Sequence, residues 1–165
     1  MKYLAAASIA ALLTTGVQSA PSRDKTVAYI QKQCEGTPTG SGPVTSNVQI
    51  EGTVLRFTEG VPVDASARGD VAFWQEVRTI DLRDVKKIDA LGTFLQLQCD
   101  YNCASVEGFY LGTDGRRRQP SWGNKSGTSH MTYANLSCRN TDRAVNAIQH
   151  LKDLSGESEK DPFAN

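Results

Sequence analysis

Residues 94–111 read FLQLQCDYNCASVEGFYL. Leu95, Leu97 and Cys99 alternate with Gln96 and Gln98, the period of a half-buried strand. Asp100, Tyr101 and Asn102 have turn composition, and Cys103 to Leu111 is strand-like again through Val106, Phe109 and Tyr110. The stretch therefore predicts a β-hairpin with Cys99 and Cys103 opposed at its neck. Upstream, residues 80–88 read IDLRDVKKI, a strand end, a tight corner and a new short strand. Before the corner, Val71, Phe73 and Val77 lie on one parity and Trp74, Ile80 and Leu82 on the other. That strand is partly apolar on both faces and belongs inside a sheet. Val48 and Ile50 begin an earlier strand that Leu55 and Phe57 continue on the opposite parity, which predicts a bulge near Gly52. Glu59 to Gly69 reads as a polar connection.

Helical spacing frames these strands. Val27, Ile30 and Cys34 mark a helix over residues 23–34, preceded by Ser22 as a cap and followed by Gly36 and Pro38 as stop signals. Thr37 to Ser46 is loop chemistry. Met131, Tyr133 and Leu136 predict a last strand ending at Cys138. Asn140 or Thr141 then caps a helix over Asp142–Leu154, whose Ala144, Ala147, Ile148, Leu151 and Leu154 form one apolar stripe and which Gly156 ends.

The chain has 165 residues, 39% hydrophobic and 22% charged, with 18 Lys plus Arg balanced by 18 Asp plus Glu. This is a globular composition, and it argues against a disordered chain and against a polyanion or nucleic-acid binder. Lys2, the apolar run Tyr3 to Leu13 and the small polar segment Thr14 to Ala20 have the make-up of a secretory signal peptide. The expected organisation is a signal peptide over 1–19, one disulfide-stabilised α+β domain over 20–156 and a disordered tail over 157–165. The apolar run is shorter than the roughly 20 residues of a membrane span, so no transmembrane anchor is expected. The protein is expected to be exported, periplasmic or extracellular.

Export places Cys34, Cys99, Cys103 and Cys138 where thiols pair. Four cysteines allow three connectivities. The hairpin reading favours Cys99 with Cys103 and leaves Cys34 for Cys138. The close spacing of Cys99 and Cys103, with no paired His nearby, argues against zinc, and neither metal nor cofactor is expected.

Antiparallel strands followed by an amphipathic helix make an α+β domain with a curved sheet or partly open barrel. The stretch Ile80 to Ile88, the strand Phe94 to Gln98 and the helix Asp142 to Leu154 together resemble the pleckstrin-homology-like fold, in the manner of its small exported bacterial versions. The resemblance spans roughly residues 45 to 155 and is one of spacing. It implies a C-terminal helix plugging a bent barrel and a domain that binds lipids, peptides or proteins without catalysis. The first hairpin, where inositide-binding relatives carry basic residues, here offers Arg68 against Glu59 and Asp64, so inositide binding is not implied. A cystatin-like or nuclear-transport-factor-2-like (NTF2-like) α+β sheet is the competing fold.

No phosphate-binding glycine motif or nucleophile elbow occurs. His130 lies beside Ser126, Thr128 and Ser129, and a small secreted hydrolase using His130 is the enzymatic alternative; an exposed strand-end histidine is the simpler reading. His150 flanks a helical stripe and reads as surface. Asp81, Asp84 and Asp89 interleave with Arg83, Lys86 and Lys87, a charge-balanced turn rather than a calcium loop. Gly112 to Gly127 reads as a long exposed loop. There Arg116, Arg117, Arg118 and Lys125 surround Trp122 with only Asp114 opposing them, a candidate site for a protein or an anionic envelope component. The simpler reading is a solvated loop. The function these features suggest is an exported non-enzymatic binding module for a protein, peptide or cell-envelope component, with an inhibitor or immunity protein of a hydrolase as a specific form.

Overall fold

The computed structural model describes residues 20–38, 43–63, 71–119 and 126–158. Helix α1 (Arg23–Cys34) forms where the apolar spacing places it. Ile30 and Cys34 are buried, and Val27 packs against the same cluster. Ser22 receives the Thr26 N–H on its carbonyl but makes no side-chain cap. The chain turns at Gly36, whose φ of +66° suits glycine, into the short strand β1 (Thr37–Pro38).

Strands β2 (Val44–Glu51) and β3 (Val54–Pro62) form a hairpin in which Glu51 faces Val54. Gly52, with φ +55°, therefore sits in a two-residue turn and not in a bulge. The parity change between Ile50 and Leu55 comes from chain reversal. The register irregularity lies between Ser46 and Gln49, where Asn47 has φ +52°. The Glu35 carboxylate accepts the N–H groups of Asn47 and Val48 there, at 2.9 and 3.0 Å, and satisfies the donors that the irregularity frees. β3 runs on through Glu59 to Pro62, so part of the expected polar connection is strand.

The remaining strands are β4 (Val71–Asp81), β5 (Lys87–Leu91), β6 (Phe94–Gln98), β7 (Ala104–Gly112), β8 (Arg117–Arg118), β9 (Gly127–Met131) and β10 (Tyr133–Ser137). One sheet has the order β1-β2-β3-β4-β7-β8 with β9 also on β7; the other has the order β10-β6-β5. The two are halves of one bent meander. Ile80, Ala104 and Met131 form the last cross-strand row of the large sheet, and Lys87, Gln98 and Tyr133 the first row of the small one. Between these rows the three chain paths insert residues 81–86, residues 99–103 and Thr132 alone. Lys86 N–H donates to the Gln98 carbonyl at 2.7 Å and Cys99 N–H to the Thr132 carbonyl at 2.9 Å, so hydrogen bonding continues through the bend.

This geometry corrects the expected hairpin at Cys99–Cys103. β9 and β10 are joined by Thr132 alone and run on in one direction; their antiparallel partners β7 and β6 must also share a direction. Residues 99–103 are an excursion within one bent path, closed at its neck by the Cys99–Cys103 disulfide. The final strand predicted from Met131 to Leu136 is likewise divided between the two sheets.

The bend wraps a core in which Leu55, Phe57, Ile80, Leu95, Leu97 and Leu136 are fully buried, and Leu82 and Val85 fill the corner. Helix α2 (Thr141–Ser158) buries Ala144, Ile148 and Leu151 against it and packs on α1. Asn140 Oδ1 accepts the Arg143 N–H at 3.1 Å, the cap expected of Asn140. The helix passes Gly156 and reaches Ser158, beyond its expected end. Leu154 is only half-buried. Cys138, at the end of β10, is bridged to Cys34, and Ser137 N–H reaches Thr45 Oγ1 of β2 at 3.3 Å. The two extremes of the bent sheet are thus tied near α1, but among the described residues the sheet does not close into a barrel. The result is an α+β domain of two helices and antiparallel sheets held by two disulfides. No helix among the described residues is long and apolar enough to cross a membrane.

Candidate functional site

The arginine segment is more ordered than a loop. Gly112 N–H donates to the Arg116 carbonyl at 2.8 Å and Gly115 takes φ +73°, which turns the chain so that Arg117 and Arg118 pair with Leu111 and Tyr110 of β7. The arginines are also not opposed by Asp114 alone. Arg118 Nη2 lies 2.8 Å from Asp114 Oδ2 and Arg116 Nε 3.8 Å from the same oxygen, while Arg117 Nη1 meets Glu107 Oε1 of β7 at 2.8 Å. The Arg116 N–H, then the Arg118 side chain, hold the Asp114 carboxyl below its usual pKa. Arg117 lays its guanidinium 4.0 Å above the Phe109 ring, leaving that ring nearly covered. Phe73, level with Leu111 on the neighbouring strand, is 43% exposed. Among the described residues two carboxylates meet the three arginines, and the Arg116 side chain is the most exposed of the three, at 83%. Trp122 and Lys125, the other members of the expected site, lie outside the described residues.

Among the described residues the segment stands at a sheet margin. β8 and β9 lie in line along the same side of β7, β8 on Tyr110–Leu111 and β9 on Ala104–Gly108. Among the described residues β9 pairs only with β7. Its residues Gly127, Thr128, Ser129 and His130 are all exposed. It carries no lysine, proline or carboxylate of the kind that guards sheet edges. His130 faces Ser105 across the pair. A cleft of about 310 Å³ on β9 takes in Ser126, Thr128 and Ser129 but not His130.

The other half of the site was missed in the sequence. On the inner face of the large sheet, beyond the apolar core, Glu59 of β3, Glu76 and Arg78 of β4 and the Trp74–Tyr110 pair form a polar cluster. Arg78 Nη2 bonds Glu76 Oε2 at 2.6 Å, and Arg78 Nε lies 2.8 Å from Glu59 Oε2, an ion pair bent away from hydrogen-bond geometry. Trp74 Nε1 donates to Glu76 Oε1 at 3.1 Å, and its ring lies 4.6 Å from Tyr110 at 59°. Glu59 is 6% exposed; burial pushes its carboxyl above the usual value, Arg78 opposes this and Glu76 adds to it. The sequence signal was the W-x-E-x-R alternation at 74, 76 and 78, which repeats the strand parity that carries Ile80 into the core.

The acidic corner is charge-balanced: Arg83 pairs with Asp81 and Lys87 with Asp89. Among the described residues no group of three His, Cys, Asp or Glu is disposed to hold a metal. His150 Nε2 lies 2.9 Å from the Pro21 carbonyl and joins α2 to the start of α1. The chain matches no protein-family model, no curated protein and no solved structure.

Proposed function

We propose that this protein is an exported, non-enzymatic binding module that holds an extended protein or peptide segment along β9, with the adjoining arginine hairpin meeting acidic side chains of that segment. The observation that carries the reading is the margin of the large sheet: an exposed strand without lysine, proline or carboxylate, in line with three arginines. Unpaired main-chain groups on such a strand bind another chain by strand addition, and Arg forks add charge selectivity. Two disulfides support the expectation of export, with residues 1–19 as the signal peptide. A sheet bent over a C-terminal helix supports a pleckstrin-homology-like assignment, and the open margin is where the chain departs from that family's closed barrel.

The test is an amide NMR titration with the peptide acetyl-Val-Glu-Val-Glu-Val-Thr-amide. The reading expects shifts and slowed hydrogen exchange confined to β9 and β8. It also expects affinity to fall roughly tenfold when salt rises from low to physiological strength and exposed charges are screened. The triple variant Arg116→Ser, Arg117→Ser, Arg118→Ser is expected to bind less tightly. Unperturbed β9 amides would overturn strand addition. Binding to phosphatidylglycerol vesicles in place of the peptide would assign the arginines to an anionic surface instead.

A further inference from the structure

The inner face of the sheet beside β9 carries a cross-strand row with an unusual vacancy. Glu59 faces Glu76, Glu76 faces Gly108, and Gly108 faces Gly127. The two strands next to the margin therefore carry no side chain of their own in this row, and the Trp74 ring lies over the inner of the two glycines. Gly108 has a steric reason to be glycine: a Cβ there would lie 2.4 Å from the Trp74 ring, which rests on it. Gly127 has no such neighbour. Among the described residues a Cβ there would meet nothing within 4 Å, and its φ is not of the kind that demands glycine. Space above Gly127 is what its missing side chain provides.

That space is the cleft of about 310 Å³, lined by Trp74, Glu76, Val106, Gly108 and the segment Ser126–Ser129. Its volume is at the small end of ligand clefts, about 300 to 1,000 Å³. Val106 and the benzo edge of Trp74 give it apolar walls, and Glu76 closes its far end. The charges behind it do not cancel, since Glu59 and Glu76 share the one guanidinium of Arg78. A strand added outside β9 would stand about 14 Å, three strand spacings, from β4. Only a long side chain with a methylene stem crosses Gly127 and passes along the Trp74 ring toward Glu76, and a cation answers the excess negative charge.

We propose that this cleft over Gly127 takes a Lys or Arg side chain of the segment paired along β9, its stem against Val106 and Trp74 and its charge directed toward Glu76; this rests on the strand-addition reading. The bound segment is then read on two sides, a basic residue inward at Glu76 and acidic residues toward Arg116–Arg118.

Two probes separate this inference from the reading beneath it. N-acetyl-arginine amide, which has no strand to add, is expected to shift the Gly108, Gly127 and Trp74 indole resonances, and the neutral N-acetyl-citrulline amide to bind at least tenfold more weakly. A Lys-containing peptide, acetyl-Thr-Val-Lys-Val-Thr-amide, is expected to bind at least tenfold more tightly than its norleucine counterpart. Gly127→Val fills the cleft without disturbing the backbone and should abolish both preferences, with its melting curve confirming the fold. Glu76→Gln should remove the charge preference alone. If Lys and norleucine peptides bind β9 equally, strand addition stands and this inference fails. If the arginine amide occupies the cleft while no peptide protects β9, the cleft stands and strand addition fails. Equal binding of arginine and citrulline amides, or undiminished preference in Gly127→Val, overturns the assignment of a cation to the cleft.

Discussion

Cys99 donates its backbone N–H to the Thr132 carbonyl at 2.9 Å, so a five-residue excursion on one path of the sheet stands beside a single residue on the next. The disulfide closes the longer path at its neck, which lets the two unequal paths turn the same corner. The two bridges differ in what they constrain. Cys34–Cys138 spans a sequence separation of 104 and Cys99–Cys103 only 4. In the chain-entropy model the long loop is worth about 4.7 kcal/mol and the short one about 2 kcal/mol. Urea melts of the Cys34→Ser, Cys138→Ser protein should therefore show more than twice the destabilisation of Cys99→Ser, Cys103→Ser. The opposite order would mean that the corner, not the α1 bridge, limits stability.

Helix α2 supplies a prediction about which of its neighbouring positions matter. Ile148 is fully buried, and Ile148→Ala should cost about 2 to 5 kcal/mol, read as a lowered urea midpoint. Gln149 is exposed and bonds Asp153 one turn on, so Gln149→Ala should stay within about 0.5 kcal/mol. Lys152 looks like another surface residue of the polar face but is not one. Its ammonium donates to the Val85 carbonyl at the corner, and burial lowers its pKa. Lys152→Ala should cost about 0.5 to 1.5 kcal/mol by leaving that carbonyl unmatched.

The Glu59–Arg78–Glu76 cluster predicts a pH dependence of definite sign. Burial, opposed by Arg78 and reinforced by Glu76, raises the folded-state pKa of Glu59 above the 4.5 of the free group. Between those two values the folded protein binds more protons than the unfolded one, so stability is greatest below the unfolded pKa and falls as pH rises through the folded one. Glu59→Gln should flatten that part of the stability profile. Arg78→Met leaves two carboxylates facing each other without a cation and should cost about 3 kcal/mol at neutral pH, with partial recovery in acid. A profile for Glu59→Gln that follows the parent would remove Glu59 from this role.

Gly108 should be intolerant of the smallest substitution. Gly108→Ala forces the Trp74 ring away from its place against β7 and should destabilise by about 1 to 3 kcal/mol, with a changed tryptophan emission. Gly127→Ala, in the same row with open space above it, should change stability by less than about 0.5 kcal/mol. The contrast isolates packing from any intrinsic demand for glycine.

What the sequence determined by itself is local and periodic. The α1 stripe Val27, Ile30 and Cys34, the α2 stripe through Ala144, Ile148 and Leu151, the Asn140 cap and the alternation of Leu95 and Leu97 all follow from side chains repeating at helix or strand period, so they are legible before any contact is known. The cysteine pairs were also within reach, although the hairpin from which they were read is a bend, because 99 and 103 are close in the chain in either case. What only the tertiary structure decided is direction and neighbourhood. A five-residue turn-rich segment reads the same whether the chain reverses or merely bends, and here the answer depends on Thr132, which is 29 residues beyond Cys103 in the chain. Ion pairing of Arg117 with Glu107, the assembly of Glu59 with Glu76 and Arg78, and the row that sets Gly108 beside Gly127 all depend on register between strands. Register is a property of pairs of segments, fixed by the turns and the buried face together, and no single stretch of sequence carries it.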